Sequence, residues 1–173
     1  MAHLRSALLT FFLVVGMLVT SSVFAYGPAA GSYSVGPGPT TLSYLGTNVP
    51  CFSTFTVYID GISGDSGLVI GAAFGSGSGG SGLCPHITAS ASPSSPWSLS
   101  PATFVSAGIY TATVSGISLY VPPPINATCT GSVTVTLNQT TSPTVVSFNG
   151  TLHNGPIPCG VSGTYLYTQL TAP

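Results

Sequence analysis

Glycine and proline are concentrated after residue 25 of this 173-residue chain. All 15 prolines and all but one of the 22 glycines lie there, the exception being Gly16. In a helix interior, proline costs about 3 kcal/mol and glycine about 1 kcal/mol relative to alanine. The chain after residue 25 is therefore expected to form short strands separated by turns, without helices.

Period-two alternation marks two of these strands, Cys51–Ile59 and Cys129–Leu137. In both, apolar residues follow a cysteine at positions four, six and eight, so they share its inward-pointing face. The first face carries Cys51, Phe55, Val57 and Ile59, and the second carries Cys129, Val133, Val135 and Leu137. The match indicates two pseudo-repeated β-units, although Thr- and Val-rich strands can also resemble one another by chance.

The remaining chain supports an all-β fold. Further strands are predicted at 41–45, 68–74, 109–114, 117–121, 144–148 and 164–170. Segment 68–74 is continuously apolar, which is typical of a strand covered on both faces. About eight strands at this spacing predict an antiparallel sandwich or a partly closed barrel. Residues 47–173 are expected to form this single β-domain, preceded by a Gly/Pro/Ser-rich arm at 26–46.

The first 25 residues have the three parts of a cleavable secretory signal. Arg5 gives a basic start, an apolar stretch runs from Leu8 to Val19, and Val23 and Ala25 occupy the positions that signal peptidase reads. The apolar stretch is shorter than the roughly 20 residues of a spanning helix. The sequence therefore predicts a secreted, extracellular protein that is not integral to a membrane.

The four cysteines, Cys51, Cys84, Cys129 and Cys159, all follow this signal. An even number in an exported protein predicts two disulfides, and three pairings are possible. The pseudo-repeat favours Cys51–Cys84 and Cys129–Cys159. Zinc sites use close cysteine pairs, and none is present, so no metal is expected.

Charge is almost absent after residue 25, where Asp60 and Asp65 are the only formally charged side chains. Nucleic acid binding rests on Lys and Arg, so nucleic acid is excluded as a partner. A surface with so little repulsion between copies associates readily with itself or with apolar interfaces.

The sequence offers little for catalysis. Asp60, Asp65, His86 and His153 are the acid–base candidates, and no nucleophile motif accompanies them. We therefore expect a protein that is not an enzyme and that uses no cofactor.

Tyrosines are more informative than the acid–base candidates. Tyr58 and Tyr120 fall on the outward parity of their strands, and Tyr165 and Tyr167 share one face of the last strand. Outward tyrosines suit interfaces, because an apolar ring carries a polar tip. Ordinary β-propensity is the alternative explanation.

The cysteine contexts resemble a known family. The segments that carry the likeness are Val49–Cys51, Gly82–Cys84 with Pro96 and Trp97, Cys129–Ser132, Phe148–Leu152 and Cys159–Thr164. Together, over residues 40–165, they resemble the secreted alkane-oxidation activators of the PraA/PraB type from Gram-negative bacteria. The resemblance implies a non-enzymatic extracellular protein that promotes growth on hydrocarbons and belongs to the secreted matrix and biofilm repertoire.

Two hypotheses follow. The first is a non-catalytic protein that acts at a hydrocarbon or cell-surface interface and promotes alkane utilisation. The alternative is a self-assembling fibre or biofilm-matrix subunit, in which the arm at 26–46 or the strand at 164–170 pairs with an exposed sheet edge of the next copy.

Overall fold

The computed structural model describes residues 30–60 and 66–167. Within these residues there are ten strands, and the one helical element is a 3₁₀ turn at Cys84–His86. The strands are β1 Gly31–Tyr44, β2 Thr47–Ile59, β3 Gly67–Gly75, β4 Thr88–Ala89, β5 Trp97–Leu99, β6 Thr103–Ser106, β7 Ile109–Val121, β8 Ala127–Asn138, β9 Thr144–Asn154 and β10 Ile157–Tyr167.

Eight of these strands close into an antiparallel barrel. Around the ring the order is β7, β5, β3, β2, β1, β10, β9 and β8, and β8 pairs back with β7. One edge of β7 is covered in succession by three short strands, β4, β5 and β6, and only β5 continues to β3. The prediction of an all-β fold is confirmed. Of the two predicted architectures, the sandwich and the barrel, the barrel is correct.

The barrel includes most of the segment that was predicted to be an arm. Gly31–Tyr44 is β1, which pairs with β2 along nearly its whole length and with β10 at Thr40–Tyr44. The prediction of a separate arm is wrong for these residues, because alternate side chains of this Gly- and Pro-rich strand point into the barrel. Tyr26 to Ala29 lie outside the described residues, as does the predicted signal.

A bulge joins two segments that were predicted as separate strands. The pairing of β7 with β8 shifts between Ser115 and Ile117, and Gly116 between them has a φ of 78°. That backbone conformation favours glycine, and the extra residue changes the inward parity. Val114 and Ile117, three positions apart, are consequently both buried.

The apolar strand β3 is covered on one face. Val69 is buried in the barrel, whereas Leu68 and Ala73 are exposed on the outside. The prediction of cover on both faces is wrong, because no layer of described residues packs over this side of the ring. Apolar side chains are therefore left at the surface.

Two disulfides lie near the same end of the barrel. Cys51 on β2 is joined to Cys84 in the 3₁₀ turn, and Cys129 on β8 is joined to Cys159 on β10 across β9. This is the pairing that the pseudo-repeat favours. The two units are not identical, since only the second bridge joins strand to strand.

Candidate functional site

The two ends of the barrel differ in how tightly they are packed. We call the end that carries the turns at 45–46, 122–126 and 155–156 the disulfide end, since both bridges lie near it. The opposite end, where β1 begins and β2 and β10 finish, is the cavity end. Inward apolar side chains are almost fully buried at the disulfide end, for example Leu42, Val49 and Val121.

Toward the cavity end, many inward side chains are only half-buried, although others such as Ile59 and Tyr165 are buried. They enclose a cavity of about 210 Å³. Half-buried residues on its wall include Val35, Phe55, Val57, Ala112, Val135, Leu137 and Val146. They point inward because they alternate along their strands with outward residues, which are mostly polar. They keep partial exposure because no described side chain fills the space between them. The predicted inward faces of β2 and β8 are thereby confirmed.

One wall of the cavity is aromatic. The ring of Phe55 meets those of Phe74, Phe148 and Tyr165 edge to face, with centroids 5.8 to 6.3 Å apart. Phe148 and Tyr165 are stacked at 5.7 Å. Such pairs add about 0.5–1.5 kcal/mol each beyond their area burial, so these contacts stabilise this wall.

Three buried hydroxyl groups are hydrogen-bonded to one another beside this wall. The Tyr165 hydroxyl lies 2.6 Å from both Thr40 Oγ1 and Ser53 Oγ, which are themselves 2.5 Å apart. Each hydroxyl has one proton, so a cycle of three bonds uses all three donors. Gly38 makes room for the Tyr165 ring, because a Cβ at that position would collide with it.

Burial also affects the acidity of this tyrosine. Desolvation raises the pKa of the Tyr165 hydroxyl above its usual value, and the hydrogen bonds from Ser53 and Thr40 partly oppose that rise. The phenol is therefore neutral at ordinary pH and contributes no charge to the cavity.

Exposed large apolar side chains gather around the cavity end. Five of the seven in the described residues lie there, and we call them the apolar rim: Tyr58, Leu68, Phe104, Val105 and Leu166. Tyr58 and Leu68 are cross-strand partners, and Phe104 packs edge to face on Tyr110. Leu45 and Tyr120 are the two at the disulfide end.

The four tyrosines predicted at an interface do not share one environment. Tyr58 and Tyr120 are exposed, as their parity indicated. Tyr165 is buried, so its assignment to an interface is wrong. It stands six positions after Cys159 on β10, and an even spacing puts both on the inward face. The side chain of Tyr167 lies outside the described part of the chain.

The three acid–base candidates among the described residues lie apart from the cavity lining. His86 is exposed in the 3₁₀ turn and His153 is exposed on β9. Asp60 follows β2 and accepts a hydrogen bond from Ser66 Oγ at 2.9 Å. Asp65 lies outside the described residues, which contain no group of three or more potential metal ligands.

A sequence model of the PraA/PraB-like alkane oxidation protein activators matches residues 1–171. The chain belongs to this family. No curated protein and no solved structure matches it. The resemblance seen in the cysteine contexts is therefore confirmed across nearly the whole chain.

Two further findings bear on where this family member acts. Two disulfides are compatible with an extracellular protein. Among residues 30–60 and 66–167, no helix has the length and apolar character needed to cross a membrane.

Proposed function

We propose that the protein is exported and promotes alkane utilisation without catalysing a reaction, by placing its cavity end against hydrocarbon at a droplet or cell surface. Membership of the alkane oxidation activator family is the reason for proposing a role in alkane utilisation. The apolar rim is the surface that would contact the hydrocarbon.

The apolar rim is the observation that carries this proposal. Phe104 and Val105 are 63% and 58% exposed, and Leu166 is 60% exposed on the other side of the ring. Each square ångström of such surface that leaves water contributes about 25 cal/mol. A ring of apolar side chains at one end therefore gives the barrel a preferred orientation at an oil–water interface.

Low charge favours the same behaviour. Asp60 is the one formally charged side chain among the described residues, and the hydroxyl of Ser66 hydrogen-bonds to it. Desolvating charged groups is costly, so a protein with few of them approaches an apolar phase with a small penalty. The cavity lining contains no Asp, Glu, His, Lys or Arg, which supports a non-catalytic role.

The test compares the two ends of the barrel with matched variants. In the first assay, the purified mature protein is added to a hexadecane–water interface and the interfacial tension is measured. In the second, the protein is added to cells that lack it, and their growth on hexadecane is measured. The rim variant Phe104→Ser with Val105→Ser should lose most of both effects. Leu45→Ser, which removes a 72% exposed leucine at the disulfide end, should keep them. Inactivity of the wild-type protein in both assays would refute the proposal.

The alternative of a self-assembling fibre is less well supported. Its premise was a free N-terminal arm or C-terminal strand, but β1 pairs with β2 and β10 pairs with β9 along nearly their whole described lengths. The two strands pair with each other only at Thr40–Tyr44, so the edges left to a second copy are the first part of β1 and the last residues of β10. Filaments of the purified protein in electron micrographs would nevertheless favour it over the interfacial role.

A further inference from the structure

The cavity has the chemistry of a site for a ligand without polar groups. No buried side-chain nitrogen or oxygen in the described residues lacks a hydrogen-bond partner. Trp97 on the cavity wall donates its Nε1–H to Ser90 Oγ, and the hydroxyl protons of Thr40 and Tyr165 are used within the three-hydroxyl cycle. The other polar residues of the lining are Tyr33, Tyr110 and Thr111. A hydrogen-bond acceptor on the ligand, such as a carboxylate, would therefore leave water without a donor from Trp97, Thr40 or Tyr165, which is unfavourable.

The cavity is extended along the strands. On β8, Val133, Val135 and Leu137 line it at three successive inward positions. At about 3.3 Å per residue, these three positions span about 13 Å of strand. A long, apolar space of this kind matches an unbranched chain better than a compact ring system.

Its volume sets the length of chain that fits. The cavity measures about 210 Å³. An engineered apolar cavity of about 150 Å³ binds benzene, which has six carbon atoms, so in proportion the larger space holds about eight. Longer chains would have to continue past the half-buried residues of the cavity end.

We infer that the barrel binds one unbranched alkane chain in this cavity. The inference rests on the proposed function for its ligand class and adds a stoichiometric internal site to the interfacial role. The alkane should bind more tightly than the fatty acid of equal length. The lining has no cation for a carboxylate, and Asp60 at the cavity end would repel one.

A homologous series of alkanes tests the internal site. Uptake of n-pentane to n-dodecane by the mature protein is measured by headspace gas chromatography. Decanoate is not volatile, so it is compared with decane through its competition with octane uptake. Affinity should rise about fourfold for each added methylene, because each contributes about 0.8 kcal/mol on burial. The rise should level off near eight carbons at one chain per protein. No saturable uptake, a rise without a plateau, or tighter binding of decanoate than of decane would overturn the inference.

A matched pair of variants locates the site. Ala112→Phe adds a ring inside the cavity, whereas Ala73→Phe adds it on the outside of β3. The first should lower octane affinity by at least about tenfold and move the plateau to shorter chains, and the second should change neither. Equal loss in both would contradict the assignment. If Ala112→Phe does not fold, the wild-type series still decides the matter.

The two proposals fail separately. A protein that lowers hexadecane–water tension and supports growth but takes up no octane retains the proposed function without the internal site. A protein that binds one octane but is inactive at the interface and in growth retains the site without the proposed function.

Discussion

The disulfide end and the cavity end are built from the same long strands but are packed differently. Val49 and Ala127, near the bridges, are 2% and 1% exposed, whereas inward residues such as Val57 and Val135 remain half-buried. The pairing of β1 with β2 and of β7 with β8 runs through both ends, but β1 pairs with β10 only at Thr40–Tyr44, toward the disulfide end. The two ends therefore differ in how side chains and cross-links fill the interior and in how far the strands are paired.

This contrast separates stability from binding. Tight packing and two covalent links hold the ring closed at one end, so the other end can leave space inside and apolar side chains outside. Small exported domains commonly use disulfides in this way, because their cores alone give a limited stability. The predictions below test that division of roles.

The largest effect is expected from the strand-to-strand bridge. Replacing Cys129 and Cys159 together by alanine opens a link that spans 30 residues. The free energy of unfolding should fall by about 3–4 kcal/mol, since a cross-link of this length restricts the unfolded chain. Urea denaturation of the variant and wild type measures it. A loss below about 1 kcal/mol would show that the bridge is not what holds this end together.

A matched valine pair compares the two ends directly. Val49→Ala removes two methyl groups from a filled core and should cost about 2 kcal/mol of unfolding free energy. Val135→Ala removes the same atoms beside the cavity and should cost less than about 1 kcal/mol, because that side chain is only partly buried. Equal losses in urea denaturation would contradict the difference in packing.

The hydroxyl cycle makes a smaller, pH-dependent contribution. Tyr165→Phe should cost about 1–2 kcal/mol near neutral pH, because Thr40 and Ser53 still bond to each other. Burial raises the pKa of Tyr165, so the contribution of this neutral phenol to the free energy of unfolding is fully present below about pH 10, the ordinary tyrosine pKa. Stability should fall as the pH rises from there through the folded-state pKa.

The variant lacks this titration. Its deficit relative to the wild type should therefore shrink in urea denaturation above pH 10. A deficit that stays constant or grows with rising pH would contradict the burial of a neutral phenol.

The smallest change in stability is expected at the apolar rim. Phe104→Ser should shift the free energy of unfolding by no more than about 0.5 kcal/mol, because the side chain is mostly exposed. Thermal and urea denaturation check this value. A larger loss would mean that the rim supports the fold, and loss of interfacial activity would then no longer report on contact with hydrocarbon.

Much of the fold was predictable from local pattern. Alternation in 51–59 and 129–137 identified inward faces, because a side-chain period of two survives closure of the ring. Gly116 hid the continuity of β7, since a bulge inverts the parity that such patterns rely on. The strand predicted at 41–45 is the last part of β1, and the first part was missed because its glycines and prolines look like a linker.

The site was less predictable than the fold. Counting by twos from Cys159 would have placed Tyr165 inside, and this signal was available in the sequence. The three-hydroxyl cycle was not, since it joins β1, β2 and β10 only after the ring closes. The cavity depends on the summed volumes of side chains from nearly every strand, which no local pattern records.

The most direct test of the division between the two ends is a methyl-resolved NMR titration of the mature protein with n-octane. Methyl signals of Val57 and Val135 should shift and saturate at one octane per protein, while those of Val49 and Val121 stay unchanged. Shifts that appear equally at both ends, or only at the disulfide end, would contradict the account.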